Sequence, residues 1–251
     1  MILDQFKLDG KVAIVTGSNT GLGQGFCIAL AEAGAKVLGV GRRDSEETLA
    51  KIGADKFSYM IADLGDVSCV NSIIQKAINT FGSVDILVNN AGIIRRDDSL
   101  NFGEKDWDEV MNVNLKTLFF LSQAAAKVMV ERKKGGKIIN VASMLSYQGG
   151  IRVPSYTSSK SAVKGLTMTL ANEWAKYGIN VNAIAPGYMV TNNTVNLRND
   201  PDRNKAILER IPAGRWGTPD DIMGAGVFLA SPASDYVNGF TMAVDGGWLA
   251  R

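Results

Sequence analysis

Three residues of the sequence have the types and spacing for proton transfer: Ser143, Tyr156 and Lys160. The apolar run Lys137–Ala142 reads as a buried strand ending at Ser143. A helix starting near Pro154 then carries Tyr156 and Lys160 at i and i+4, on one face. Helical rise sets those two about 6 Å apart along the axis. A phenol is a poor acid, with a pKa of about 10, and a close ammonium favours the phenolate. Lowering that pKa by about 3 units takes about 4 kcal/mol of differential interaction. One partly desolvated cation supplies much of it. The competing reading is an ordinary Tyr–Lys surface pair, and the rest of the chain decides between the two.

The elements that must position these residues begin at Lys11–Thr16, a short apolar run fit for a strand buried on both faces. The turn Gly17-Ser18-Asn19-Thr20-Gly21-Leu22-Gly23 follows, then an Ala/Leu-rich helix to about Ala33 and a strand at Lys36–Val40. Glycines in such a βαβ unit let the backbone approach a pyrophosphate, and the helix N-terminus favours anions. The spacing here is G-x3-G-x-G, and glycine-rich turns also occur without ligands. Gly41-Arg42-Arg43 closes the second strand with no acidic residue for a ribose 2′-hydroxyl, and Arg42 suits a 2′-phosphate instead. The strand Phe57–Ala62 ends in Asp63-Leu64, where Asp63 either faces a ligand or caps the helix Asp66–Phe81.

Val84–Asn89 opens into Asn90-Ala91-Gly92, placed where open α/β sheets bind ligands. A long helix is expected over Glu104–Glu131, with Trp107, Val110, Met111, Leu115, Leu118 and Leu121 as core. Asn114 is an amide of poor helix propensity within it, which calls for a structural hydrogen bond or a bound water. The strand Ile179–Ala185 runs into Pro186-Gly187 and Thr191, and a polar stretch at about 188–215 is a candidate substrate lid. A helix at Asp220–Ala230, opened by Thr218-Pro219, and a strand at Phe240–Val244 complete the chain. No repeat or linker interrupts it, so residues 1–251 are expected to form a single domain.

Composition narrows the chemistry. The 251 residues are 46% hydrophobic and 21% charged, with a net charge of +2, so no nucleic-acid or membrane partner is expected. There is no histidine, which excludes Ser-His-Asp and Cys-His catalysis. Cys27 and Cys69 lack metal-ligand spacing, and no metal site is expected. The opening residues carry no apolar leader and no stretch is long enough to span a membrane, so a cytoplasmic protein is expected.

Taken together, Thr16-Gly17-x3-Gly21-x-Gly23, Asn89-Asn90-Ala91-Gly92, Asn114, Ser143, Tyr156-x3-Lys160 and Pro186-Gly187 resemble the short-chain dehydrogenase/reductase family in order and spacing, along the whole chain. The resemblance implies an α/β, Rossmann-type, doubly wound sheet of seven parallel strands flanked by helices. It implies hydride transfer between a nicotinamide cofactor and a CH–OH group, and commonly a homotetramer with Asp245–Trp248 at an interface. Tyr156 would be the general acid/base, Ser143 would polarise the same substrate oxygen, Lys160 would lower the Tyr156 pKa and bond the ribose, and Asn114 would position a water behind Lys160. The cofactor would lie along Gly17, Asn19, Gly21, Leu22, Gly23, Arg42, Asp63, Leu64, Asn90, Ala91, Gly92, Pro186, Gly187 and Thr191, beside Tyr156 and Lys160.

A narrower set, Ile94-Arg95-Arg96, Ser143-Met144-Leu145-Ser146, Gln148-Gly149-Gly150-Ile151-Arg152 and Ile211-Pro212-Ala213-Gly214-Arg215-Trp216-Gly217, resembles the sugar-acid dehydrogenases of that family. It implies a keto or hydroxy sugar acid as substrate. Arg95, Arg152 and Arg215 are the candidate carboxylate ligands, Arg152 foremost, with Gln148 and Tyr188 for hydroxyls. The narrower resemblance favours NAD, whereas Arg42 points to NADP; NAD is the favoured cofactor. Other substrates to weigh are gluconate and a 3-oxoacyl thioester. A non-catalytic dinucleotide sensor is the reading from another class.

Overall fold

The computed structural model describes residues 1–251. Its strands are β1 (Val12–Thr16), β2 (Lys36–Gly41), β3 (Phe57–Ile61), β4 (Ile86–Asn89), β5 (Gly136–Val141), β6 (Ile179–Pro186) and β7 (Thr241–Val244). They pair in parallel, in the order β3-β2-β1-β4-β5-β6-β7. The helices are α1 (Gly21–Glu32), α2 (Glu46–Ile52), α3 (Val70–Phe81), α4 (Glu104–Met111), α5 (Thr117–Arg132), α6 (Pro154–Trp174), α7 (Val195–Asn199), α8 (Pro201–Arg210) and α9 (Pro219–Ala230).

Every residue of β1 is buried, as expected of a strand with helices on both faces. Side chains alternate between the two faces. Ala13 and Val15 pack with Phe26 and Leu30 of α1 and Ile222 and Leu229 of α9. Ile14 packs with Ile73 of α3, Leu121 and Met129 of α5 and Leu170 of α6. The strand order reverses between β1 and β4, which leaves a crevice at their carboxyl ends.

Several local details differ from expectation. The helix expected over Glu104–Glu131 is broken by a wide π-turn at Asn112–Lys116 that separates α4 from α5. Asn114, fully buried within it, bonds sideways to another segment, and such turns recur at functional sites. Trp107 is not core but 38% exposed, whereas Val110, Leu118 and Leu121 are buried. Asp66, not Asp63, provides the cap before α3, accepting from the Ser68 amide at 2.8 Å. The short α2 follows a strand end where no helix was expected.

The expected lid contains α7 and α8. Ile207 and Ile211 turn inward from it onto Met144 and Trp248. No helix is long and apolar enough to cross a membrane.

Candidate active site

The turn after β1 is shaped by glycine. Gly17 has φ +71°, and a Cβ at Gly23 would lie 2.0 Å from the Gly17 carbonyl oxygen. This tight approach turns the N-terminus of α1 towards the crevice, where its amides favour an anion. The turn after β4 is laced to it. The Asn90 side-chain amide donates to the Thr16 carbonyl at 2.9 Å, and Thr16 Oγ1 accepts from the Asn90 and Ala91 backbone amides at 3.0 and 2.9 Å. Asn90 therefore braces the glycine turn, besides facing the crevice.

Every residue expected at the cofactor lines one cleft of about 710 Å³, from Arg42, Asp63 and Leu64 at one end to Tyr156, Lys160 and Thr191 at the other. Its floor suits a dinucleotide. A Cβ at Gly92 would lie 3.3 Å from Asn114 Oδ1 and 3.6 Å from Lys160 Nζ, so glycine keeps the space beside Lys160 open. At the far end β2 supplies no carboxylate. Arg43, not singled out in the sequence, places Nη2 and Nε 3.1 and 3.2 Å from the Asn19 amide oxygen once that amide is turned to accept. Asp63 accepts from the Gly65 amide at 2.9 Å and also lines the cleft.

Ser143 leaves β5 in extended conformation, and its Oγ accepts from the Leu145 amide at 3.1 Å. Pro154 begins α6, which brings Tyr156 and Lys160 to the same cleft wall as Ser143. The buried Lys160 donates from Nζ to the Val141 carbonyl at 2.6 Å, 5.7 Å from the centre of the Tyr156 ring. Burial pushes the Lys160 pKa down to about 8. Burial also raises the Tyr156 pKa, opposed by the Ser143 hydroxyl and the Arg96 cation. The lowering of the Tyr156 pKa expected from Lys160 is therefore not found: burial outweighs both neighbours, and the Lys160 ammonium donates to a backbone carbonyl.

Asn114 Oδ1 accepts from the Ile93 amide at 2.8 Å while its Nδ2 donates to the Ile93 carbonyl at 2.9 Å and to Ser159 Oγ at 3.2 Å. Ser159 Oγ in turn donates to the Tyr156 carbonyl at 2.8 Å. One buried amide therefore ties the loop after β4 to the helix carrying Tyr156 and Lys160. Ser159 carries no sequence signal beyond its place beside Lys160.

The three arginines expected to bind a carboxylate already face protein carboxylates. Arg95 lies 2.7 Å from Glu109 and 3.4 Å from Asp106. Arg152, at φ +62°, lies 3.2 Å from Asp98. Arg215 makes two 2.7 Å bonds to Asp221. Gln148 accepts from Arg210 Nη2 at 3.1 Å, a link between α8 and the loop before α6. Tyr188 is wedged edge-on between Trp216 and Trp248, with ring centres 5.2 and 4.8 Å away.

The sequence profile of the short chain dehydrogenases matches residues 11–202. The chain belongs to that family, as an oxidoreductase that uses a nicotinamide cofactor. A 2-dehydro-3-deoxy-D-gluconate 5-dehydrogenase from Dickeya dadantii is 62% identical, over 100% of both chains. Among solved structures, one described as a 2-deoxy-D-gluconate 3-dehydrogenase from Agrobacterium tumefaciens with bound NADP is 58% identical, with TM-score 0.93 over 98% of this chain and 99% of that one. A gluconate 5-dehydrogenase from Burkholderia cenocepacia in complex with NADP and tartrate is 39% identical, with TM-score 0.93 over 100% of both chains.

Proposed function

We propose that the protein interconverts 2-dehydro-3-deoxy-D-gluconate and 3-deoxy-D-glycero-2,5-hexodiulosonate, with NADP as the preferred cofactor. The observation that carries this reading is the meeting of Ser143, Tyr156 and Lys160 on one wall of a dinucleotide-sized cleft, in a chain 62% identical to an enzyme named for that sugar acid. When bound, the nicotinamide ring accepts or supplies the hydride.

In the oxidative direction the Tyr156 phenol must first ionise, against the burial that raises its pKa and aided by the Ser143 hydroxyl and the Arg96 cation; the phenolate then takes the proton of the reacting hydroxyl. In the reductive direction its hydroxyl returns that proton to the same oxygen. Ser143 donates a hydrogen bond to that oxygen, which fixes the reacting carbon and stabilises negative charge developing there. Lys160 holds positive charge behind the phenol, and Asn114 fixes the loop over the cleft to α6.

Arg42 and Arg43, with no carboxylate at the end of β2, favour a 2′-phosphate, and this outweighs the preference for NAD drawn from sequence likeness. A homotetramer is the assembly that the family resemblance implies, and two unpaired cysteines suit the cytoplasm.

Absorbance at 340 nm with the sugar acid, gluconate and a 3-oxoacyl thioester, each with both cofactors, tests the reading. The highest kcat/KM is expected for the deoxy sugar acid with NADP. A higher value for gluconate or the thioester replaces the substrate, and a higher value with NAD replaces the cofactor.

A further inference from the structure

We propose that Thr48 is a positioning residue for the cofactor's 2′-phosphate. With Gln24 and Ser45 it braces the turn after β1 from behind, so that Asn19 holds the Arg43 guanidinium at the far end of the cleft. This rests on the NADP reading above. Thr48 lies on α2, outside the cleft lining, and is fully buried. A buried hydroxyl costs free energy unless it is bonded. Its Oγ1 donates to the Ser18 carbonyl at 2.9 Å and accepts from Gln24 Nε2 at 3.1 Å. Gln24 is itself held one way round. Lys51 Nζ donates to its Oε1 at 3.0 Å, which leaves only the NH2 end for Thr48. The bonds therefore run in one direction, from an ammonium on α2 to the backbone of the glycine turn.

Ser45 adds a second tie. It stands at the N-cap of α2, where a serine usually bonds the helix's own amides. Its hydroxyl makes no such bond and pairs instead with Ser18 Oγ at 3.0 Å. Gly39 of β2 leaves room for this contact, since a Cβ there would lie 2.5 Å from Ser18 Oγ. The α2 segment thus fixes Ser18 by its carbonyl and by its side chain. The next residue is Asn19, whose side-chain oxygen accepts from Arg43 Nη2 and Nε at 3.1 and 3.2 Å. Asn19 and Arg43 both line the cleft. A guanidinium oriented in advance loses less freedom when it forks onto a phosphate. A cofactor ending in a 2′-hydroxyl offers Arg43 no such partner, so the brace favours the phosphorylated form.

The test titrates NADPH and NADH by fluorescence, without turnover, into wild type, T48V, T48S, Q24M, R43A and the double variant T48V/R43A. Thermal unfolding verifies that each is folded. T48V keeps the side-chain shape and loses the hydroxyl. Its NADPH Kd is expected to rise about fivefold to tenfold, as for loss of a buried hydrogen bond, with NADH within about twofold. T48S, which restores the hydroxyl, should bind both as wild type does. Q24M, at a half-buried position, removes the other end of the chain of bonds and should show a smaller NADPH-selective loss, so the test holds even where T48V is unstable. In R43A, adding T48V should change the NADPH Kd by less than about twofold, because the residue it acts through is gone. Equal weakening of both cofactors would overturn the proposal, as would T48S as weak as T48V or a full T48V effect in R43A. A wild type that binds NADH as tightly as NADPH would overturn the NADP reading, and the proposal with it. A wild type that prefers NADPH, with T48V and Q24M unchanged, overturns the Thr48 brace alone.

Discussion

Replacing Lys160 by Met should change how stability depends on pH, because the wild-type ammonium is held where burial disfavours it. The folded pKa is pushed down to about 8 from an ordinary 10.5. Between those values the unfolded chain binds more proton than the folded one, so wild-type stability rises with pH across that window and is flat below it. The full shift is worth about 3 kcal/mol, of which about 2 kcal/mol accrues between about pH 7 and pH 9.5. Lys160→Met lacks this contribution, while all other titrating groups are common to both proteins. Urea unfolding of each at several pH values gives the difference directly. The wild type should gain about 2 kcal/mol on the variant over that range. Parallel curves would show that Lys160 titrates as an exposed amine, and its place behind the Tyr156 phenol would have to be abandoned.

Three further changes probe the rest of the cleft. Replacing Arg42 and Arg43 together by Ala should lower kcat/KM with NADP by about a hundredfold, through lost charge-assisted bonds, and leave NAD within about threefold. Gly23→Ala places a Cβ 2.0 Å from the Gly17 carbonyl, so the turn must open. Unfolding free energy should fall by about 1–3 kcal/mol and calorimetric NADP affinity by at least about tenfold. Arg215→Ala, which releases Asp221 at the start of α9, should lower Tm slightly and leave KM for the sugar acid within about twofold, as for an exposed pair.

The inner strands were legible because they are buried on both faces, so they appear as apolar runs between glycine turns. Lys11–Thr16, Lys36–Val40 and Val84–Asn89 are examples, and each is found within a residue or two of its expected ends. The convergence of Ser143, Tyr156 and Lys160 on one cleft was legible as well: Tyr156 and Lys160 are one helical turn apart, and Ser143 follows the preceding strand. Pairing across long sequence distances was not. Nothing local in Ile94-Arg95-Arg96 says that Arg95 meets Glu109 while Arg96 makes no ion pair. The π-turn at Asn114 was hidden as well, since the apolar spacing on either side reads as one continuous helix. Trp107 lies on an exposed helical face, a distinction that periodicity alone blurs.

The most direct measurement is turnover by Tyr156→Phe with the sugar acid and saturating NADP, followed at 340 nm beside the wild type. Loss of the proton-transfer hydroxyl should lower kcat by at least about a thousandfold while the NADP Kd changes less than about threefold. A variant that turns over within tenfold of the wild type at equal cofactor occupancy would contradict the account.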